Sequence, residues 1–432
     1  MEAVSRKDRI AIRASLGRET KRISLTVRSE YLSSDKLIPL EGQRGIAAII
    51  VAVHHFILAF HPSISGIIAD KRDDGSLVGS PFFFFINGNG AVFFFFTLSG
   101  FVLSWGYFKN PDPYRSLWSG LKRWPRLAGP VVIACLFSAL LFQTDLYFYK
   151  DAGVKSGSYW MQTFGHSSFN ENYPSFIAAI WQGLTTFFSG QSGINPSLWT
   201  MVYEYYGSLI VFAAVPILSK LNGKRAIAVI CVVCLGAVFG ISENGLPALA
   251  GMAFMLPFIV GMGVSFAISR WEVPRVNFYL SAGVLGFGIY LLGYFEPSHA
   301  YAWSSPFAAA SPQIAWSIIY SAGSACVILA TMTNGKIYGV MNNRLMFVLG
   351  RLSFSLYLVH LLILGSVSSW LFLHVFTSGG VPLFATTALL CVSLAWPLCY
   401  FDEWWVRYLN AKVHRLRRWV SGVTIKAISR AS

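Results

Sequence analysis

Four ionisable side chains lie within otherwise apolar stretches of this 432-residue chain: His54, His55, Glu204 and His360. An ionisable group inside an apolar span costs roughly 2.5–3.5 kcal/mol, so such groups are rare outside functional sites. A neutral histidine can remove the proton of a hydroxyl group at neutral pH, and a carboxylate can orient that histidine or bind hydroxyls. These residue types point to general-base chemistry or to a proton relay.

Spacing distinguishes the two neighbouring histidines. Arg44 and His55 are eleven residues apart, which on an α-helix is three turns plus about 20° and a rise of about 16 Å. They therefore share one face, with Arg44 at the end of the helix and His55 near the middle of the membrane, whereas His54 points roughly 80° away from Arg44. We interpret His55 as the functional histidine and His54 as a structural one. Glu204 and His360 reach a similar depth from other spans, which predicts a common cavity; a hydrogen bond between helices is the alternative.

A basic segment, residues 122–126, opens the third apolar span with the sequence Lys-Arg-Trp-Pro-Arg. Arg123 and Arg126 are three residues apart, so they lie on one face of a helical turn and in the same leaflet as Arg44. Guanidinium groups bind phosphate in a bidentate manner, which predicts a collar for a phosphorylated or adenylated ligand. The usual excess of positive charge on the cytoplasmic side explains the same cluster without a ligand.

The composition requires a membrane. The chain is 55% hydrophobic and 12% charged, whereas soluble domains carry about 25% charged residues, so soluble and disordered classes are excluded. Runs of about 20 apolar residues predict an all-α, polytopic membrane helical bundle of about ten transmembrane helices. The predicted spans are 42–60, 88–108, 127–143, 197–218, 226–242, 246–268, 277–295, 314–333, 352–374 and 382–401.

The distribution of Lys and Arg predicts that both termini are cytoplasmic. If the shorter apolar segment 175–190 is re-entrant and does not span, the external loops hold only Lys71, Arg72, Lys150 and Lys155 of the 34 basic residues. The net charge of +15 then mostly reflects the excess of Lys and Arg on the cytoplasmic side, and we expect no nucleic-acid partner.

The predicted organisation is a basic cytoplasmic tail (1–36), a membrane domain (37–403) and a basic cytoplasmic or interfacial tail (404–432). The tails flank the spans and suit contact with membrane lipid. The first 36 residues contain no apolar core, so no cleavable signal peptide is predicted. Cys231 and Cys234 lie in a predicted helix without a nearby His or carboxylate, and we expect apolar filling and no metal site.

Five motifs in order carry a resemblance to a known family. The first span has Arg44, ten residues, then His55, after a Leu40-Glu-Gly-Gln start. The other four are Phe-Phe-Phe-Thr-Leu-Ser-Gly-Phe at 94–101, Arg123-x-x-Arg126, Ser197-Leu-Trp199 through Glu204, and Ser353-Phe-Ser-Leu-Tyr357-Leu-Val-His360. Over roughly residues 36–401 the chain resembles the membrane acyltransferase-3 family of multi-span O-acyltransferases. It departs from the family pattern at Glu41, at Gln43 and at Val92 or Phe93, where an Asp, a Leu and an Asp are usual.

The resemblance implies transfer of a small acyl group, usually acetyl from acetyl-CoA, to a hydroxyl of a carbohydrate or glycolipid acceptor. His55 would act as general base or carry the acyl group transiently, and Glu204 would orient it or bind acceptor hydroxyls. Arg44, Arg123 and Arg126 would hold the CoA phosphates. Ser197, Trp199, Tyr357 and His360 would bind substrate or support the site. The protein would reside in the cell (inner) membrane if bacterial.

Two other classes stay open at this point. A proton-coupled secondary transporter of a small solute or glycan could use His55, Glu204 and His360 as a relay, but no inverted repeat or paired interrupted helix is visible. A non-enzymatic scaffold would not explain histidines and a glutamate at one depth. The external loops hold residues that can stack on or hydrogen-bond sugars: Trp160, Asn170, Asn172, Tyr173 and Gln191.

Overall fold

A computed structural model describes residues 37–164, 173–242, 251–271, 276–376 and 379–431. Within these ranges the chain forms helices, turns and loops, and no β-strand occurs. The all-α prediction is confirmed.

Thirteen helices matter for the site and are numbered here in chain order. They are α1 Ile38–Phe60, α2 Gly88–Lys109, α3 Pro113–Gln143, α4 Tyr149–Ser156, α5 Tyr159–Thr163, α6 Phe176–Ser189, α7 Met201–Leu218, α8 Gly223–Ser242, α9 Leu256–Arg270, α10 Phe278–Leu292, α11 Pro312–Thr333, α12 Arg344–Ile363 and α13 Val381–Ala431. Shorter helical turns connect them: Pro62–Ser65, Ala69–Lys71, Pro81–Ile86, Pro196–Thr200, Gly251–Phe254, His299–Ser304, Ser305–Ala310, Gly335–Met341 and Ser369–His374.

Seven helices in the described part of the chain are long and apolar enough to cross a membrane. They contain seven of the ten predicted spans, and the protein is an integral, multi-pass membrane protein. They are Ile38–Phe60, Gly88–Lys109, Tyr114–Gln143, Pro196–Leu218, Pro312–Thr333, Arg344–His374 and Val381–Arg418.

The other three predicted spans also contain helices. The segment 226–242 lies in α8, and 277–295 contains the shorter apolar helix α10. The segment 246–268 overlaps the shorter α9, and its residues 246–250 lie outside the described residues. The segment 175–190 forms α6, a helix of 14 residues, or about 21 Å, which is short for a bilayer core. The count of ten, the re-entrant placement of α6 and the side on which each terminus lies stay predictions.

The functional helices α1 and α12 pack closely along each other. A Cβ atom on Gly45 would lie 2.5 Å from the backbone carbon of Leu349, and one on Gly350 would lie 2.7 Å from the backbone oxygen of Glu41. Only glycine permits this approach of two backbones, as in other membrane helix pairs. The face of α1 that bears Arg44 and His55 is therefore held against α12.

A π-helical turn, Leu364–Ser368, continues α12 and is followed by the α-helical turn Ser369–His374. Such turns interrupt the regular i to i−4 hydrogen bonds of the α-helix and often occur near functional sites. A cluster of buried apolar side chains around this turn includes Phe56, Phe60, Met161 and Phe164. It closes the end of the bundle at which α1 ends.

Candidate functional site

Two histidines from α1 and α12 form a direct pair. His360 Nε2 lies 3.1 Å from His55 Nδ1, and His360 Nδ1 lies 2.8 Å from the backbone oxygen of Tyr357. A carbonyl oxygen can only accept, so His360 Nδ1 carries a hydrogen and, in the neutral ring, Nε2 is the acceptor. His55 Nδ1–H therefore donates to His360, which leaves the lone pair of His55 on Nε2.

The two rings differ in exposure. His360 is 1% exposed, whereas His55 is only partly buried. A buried supporting group and a reachable base are the arrangement that proton transfer requires. His54 has a separate partner, since its Nδ1 lies 2.8 Å from the backbone oxygen of Ile86, in agreement with the structural role predicted for it.

Glu204 contacts an arginine and a serine. Its carboxylate forms an ion pair with Arg123 and accepts a hydrogen bond from Ser99 Oγ at 3.0 Å. The structure therefore shows no contact by which Glu204 could orient His55, the role predicted for it; the residue that contacts His55 Nδ1 is His360. The reason is electrostatic, because a buried carboxylate is stabilised most by a nearby guanidinium.

The other two predicted collar arginines are also paired. Arg44 contacts Glu41 at 3.0 Å and donates from Nε to Ser353 Oγ at 3.2 Å. Arg126 makes a bidentate contact with Asp402 of α13, at 2.6 and 3.1 Å. Each arginine is thus fixed in direction by an acidic partner.

Glu204 and the three arginines line one cavity, which we call the inner cavity; His55 and His360 are absent from its lining. Its lining comprises Arg44, Val92, Phe95, Phe96, Ser99, Arg123, Arg126, Leu127, Thr200, Met201, Glu204, Ser353, Phe354 and Tyr357. The structure therefore brings together the three predicted phosphate-binding arginines, although ligand binding there stays a prediction.

A second space, which we call the outer groove, lies on the other side of two of these arginines. It is lined by Leu103, Ser119, Lys122, Arg123, Arg126, Phe212, Val406, Leu409 and Asn410. Arg123 and Arg126 belong to both linings. A long ligand with a charged end in the outer groove would pass these two arginines to reach the inner cavity.

Tyr357 lies between the inner cavity and the histidine pair. Its hydroxyl donates to the backbone oxygen of Ser197 at 2.8 Å and lies 2.8 Å from Thr200 Oγ1. Its ring centroid is 5.8 Å from that of His360. On α12, Ser353, Tyr357 and His360 follow one another at helical spacing, so one stripe of this helix runs from Arg44 to His55.

Two residues of the Ser197–Glu204 motif have structural contacts. Ser197 Oγ donates to Asn195 Oδ1 at 2.8 Å. Trp199 packs at 5.7 Å from Phe254, between ring centroids, and is absent from the lining of the inner cavity. The geometry does not support their predicted contact with substrate. Both residues stabilise the turn in which the backbone oxygen of Ser197 accepts a hydrogen bond from the Tyr357 hydroxyl.

Of the external residues predicted to contact sugar, Trp160 lies at the site. Its ring stacks on His55 with centroids 5.2 Å apart and planes at 24°. Tyr173 donates to Asp145 at 2.5 Å, the backbone oxygen of Gln191 accepts from Thr186, and Asn170 and Asn172 lie outside the described residues. Among the residues that the structure describes, no cluster of three or more His, Cys, Asp or Glu could hold a metal.

Sequence reasoning missed three polar partners at the site: Ser99, Ser353 and Asp402. Ser99 and Ser353 lie within motifs already noted, and Ser353 had a further signal, since it lies two helical turns before His360. Asp402 had a weaker one, since an acidic pair, Asp402 and Glu403, ends the last apolar span.

Comparison with known proteins gives one match. The model of an acyltransferase domain matches residues 39–400, which contain every site residue predicted from the sequence, whereas Asp402 lies just beyond the matched range. No curated protein and no solved structure matches the chain.

Proposed function

Because the chain belongs to the acyltransferase family whose domain spans residues 39–400, we propose that it is a membrane O-acyltransferase. It moves an acyl group, acetyl in the simplest case, from acyl-CoA to a hydroxyl of a carbohydrate-containing acceptor. The observation that carries this proposal is the 3.1 Å contact between His55 and His360, since it leaves His55 Nε2 able to accept a proton.

The two spaces that share Arg123 and Arg126 support a CoA donor. The outer groove combines Lys122 with Arg123 and Arg126, so it offers cations to the phosphates of the nucleotide. The inner cavity beyond these arginines is lined largely by aromatic and aliphatic side chains, which suit the acyl-bearing arm. The arm would extend toward Tyr357 and the histidine pair.

The proposed reaction is one acyl transfer. His55 Nε2 takes the proton of the acceptor hydroxyl while the hydroxyl oxygen attacks the thioester carbon. The carbon–sulfur bond then breaks, and the His55 imidazolium returns the proton to the leaving sulfur, which gives the O-acyl product and CoA with a free thiol. His360 holds His55 in the required tautomer, and general-base catalysis of this kind contributes roughly 10²–10⁴-fold.

A variant of the same chemistry uses His55 Nε2 as nucleophile, so that the acyl group is carried on the ring before the hydroxyl attacks. The two routes differ when the acceptor is absent. Label from acetyl-CoA accumulates on the protein only if His55 carries the acyl group, and hydroxylamine would release it.

The test is acyl transfer in membranes that contain the protein, with labelled acetyl-CoA and the glycan fraction of the host membranes as acceptor. We expect His55→Ala to lower transfer by 10²-fold or more, with thermal unfolding unchanged. Wild-type activity in His55→Ala would refute the proposed base. Gradient-driven uptake of a solute without acyl transfer would favour the transporter instead.

The donor site has a matched control. Arg126 and Arg351 each pair with one of two adjacent carboxylates of α13, Asp402 and Glu403, but only Arg126 lines the inner cavity. Arg126→Gln should raise the KM for acetyl-CoA about tenfold, as expected for a lost charge-assisted contact of about 1.4 kcal/mol. Arg351→Gln should leave that KM within twofold, and equal effects of the two variants would exclude a specific donor contact of Arg126.

A further inference from the structure

A short external segment is fastened to the end of α1. Ser156 Oγ donates to the backbone oxygen of Ala59 and Ser158 Oγ donates to that of Leu58, both at 2.7 Å. Gly157 between them adopts a positive φ of 72°, which glycine tolerates without strain. The two serines satisfy carbonyls that the end of a helix leaves without a partner, so helix α5 is held at a fixed place beside α1.

The π-helical turn of α12 provides a second anchor. The backbone N–H of Phe148 donates to the backbone oxygen of Gly365 at 2.9 Å. A Cβ atom on Gly365 would lie 2.8 Å from the ring of Phe164 and 3.0 Å from that of Tyr147. Burial raises the pKa of the Tyr147 phenol, so this hydroxyl stays protonated at neutral pH and can donate to or accept from Ser138, 2.8 Å away. The segment 147–164 is therefore built into the bundle on both sides of α5.

This double attachment sets Trp160, the second residue of α5, against His55. The ring centroids are 5.2 Å apart with an interplanar angle of 24°. The His55 ring also contacts two other imidazoles: its centroid lies 4.9 Å from that of His54, in an edge-on arrangement, and 5.1 Å from that of His360, whose ring is tilted. The three rings that contact His55 are thus two imidazoles and one indole, and its ring also hydrogen-bonds to the backbone of Val51.

A histidine that takes a proton needs support for the positive charge that it gains. In many acyl-transfer sites a carboxylate supplies this support. Glu204, the carboxylate predicted from the sequence for this role, is instead engaged with Arg123 and Ser99. The face of an indole attracts a cation more strongly than it attracts a neutral ring. An interaction that strengthens as charge develops lowers the barrier, whereas one of equal strength in both states does not.

We propose that Trp160 is a positioning residue of the base, whose indole face fixes the plane of the His55 ring and stabilises the imidazolium that forms during transfer. The catalytic part of this inference rests on the proposed function, and the stacking part does not. It predicts that Trp160 acts on the chemical step and has no effect on donor binding.

The kinetic arm compares three variants in the acyl-transfer assay with acetyl-CoA and the host glycan fraction. Trp160→Leu should lower kcat about tenfold with the KM for acetyl-CoA within twofold, and Trp160→Phe, which keeps an aromatic face, should recover most of kcat. Tyr159→Leu, in the same helix with Tyr159 67% exposed, should match wild type. Wild-type kcat in Trp160→Leu, or a change confined to the donor KM, would overturn the proposal.

The spectroscopic arm needs no enzymatic activity. In protein labelled with 5-fluorotryptophan, the Trp160 ¹⁹F resonance is identified as the signal missing from Trp160→Phe. His55→Gln should shift this resonance, whereas the signal of Trp370, which packs on His374 instead, should stay in place. An unmoved Trp160 resonance would disprove the stack. If the Trp160 resonance shifts as expected but the wild-type protein transfers no acyl group, only the proposed function is refuted.

Discussion

The partner of the proposed base offers the sharpest test of the site. His360 Nε2 is the acceptor for His55 Nδ1–H at 3.1 Å, and its own position is fixed by the backbone oxygen of Tyr357 at 2.8 Å. Replacing His360 by Ala removes the acceptor on α12, so that the His55 ring loses the contact that selects its tautomer. The other tautomer would turn a hydrogen, instead of a lone pair, toward the acceptor hydroxyl.

The magnitude follows from two contributions. A neutral hydrogen bond contributes about 0.5–1.5 kcal/mol net, and a buried donor left without a partner costs about 1–3 kcal/mol. Together they amount to about 2–4 kcal/mol in the transition state, which corresponds to a loss of kcat of roughly thirty- to thousandfold. His360→Gln, which can present a carbonyl oxygen near the place of Nε2, should lose less than about tenfold.

The assay is a double-mutant cycle in kcat for acyl transfer from acetyl-CoA. If His55 and His360 act as one unit, the double variant with Ala at both positions should be no slower than His55→Ala alone. His61→Ala is the control, because His61 also lies at a helix end and contacts a backbone oxygen, that of Gly379, at 2.8 Å. Independent, multiplicative losses at the two sites, or full kcat in His360→Ala, would refute the tautomer argument.

Three further predictions concern packing and charge. Gly365→Ala should lower the free energy of unfolding by about 1–3 kcal/mol because of its contacts with Phe164 and Tyr147, whereas Gly283→Ala, a helical site with open space, should raise it by up to about 1 kcal/mol; both are read from thermal unfolding. Gln43→Leu should raise the unfolding temperature, because Gln43 Oε1 is buried without a partner among the described residues, and a lower temperature would contradict this. Asp402→Asn should lower the KM for acetyl-CoA about threefold at low salt by removing a negative charge beside Arg126, and a raised KM would show that Asp402 acts as a scaffold instead.

Helical periodicity predicted the part of the site that lies along one helix. Arg44 and His55 share a face of α1 because eleven residues are close to three turns, and that face meets α12 as the glycines allow. Hydropathy likewise located the seven long helices, since each holds a long, predominantly apolar run. Both signals are local, so a single sequence contains them.

Contacts between helices that are distant along the chain could not be predicted from the sequence. Glu204 and His360 reach similar depths, but depth does not say which helix is the neighbour or how it is rotated. The partner of His55 is 305 residues away, and the partner of Arg126 is 276 residues away. Trp160 was noted only as an external aromatic residue, because its place over His55 depends on the turn formed by Ser156, Gly157 and Ser158.

The arginine collar differs most from what charge alone predicts. Arg44, Arg123 and Arg126 face Glu41, Glu204 and Asp402, so these six residues add no net charge. Within an apolar bundle this pairing avoids the cost of several kcal/mol for each unpaired buried cation. In the proposed reaction a donor phosphate would have to share or replace an existing carboxylate contact, so that its affinity would reflect the difference between two anions. Free CoA keeps the same phosphates as acyl-CoA, so a collar of three unpaired cations would hold the product as firmly as the substrate. If the proposed function holds, the paired collar would weaken the binding of both and so favour release of CoA after each transfer.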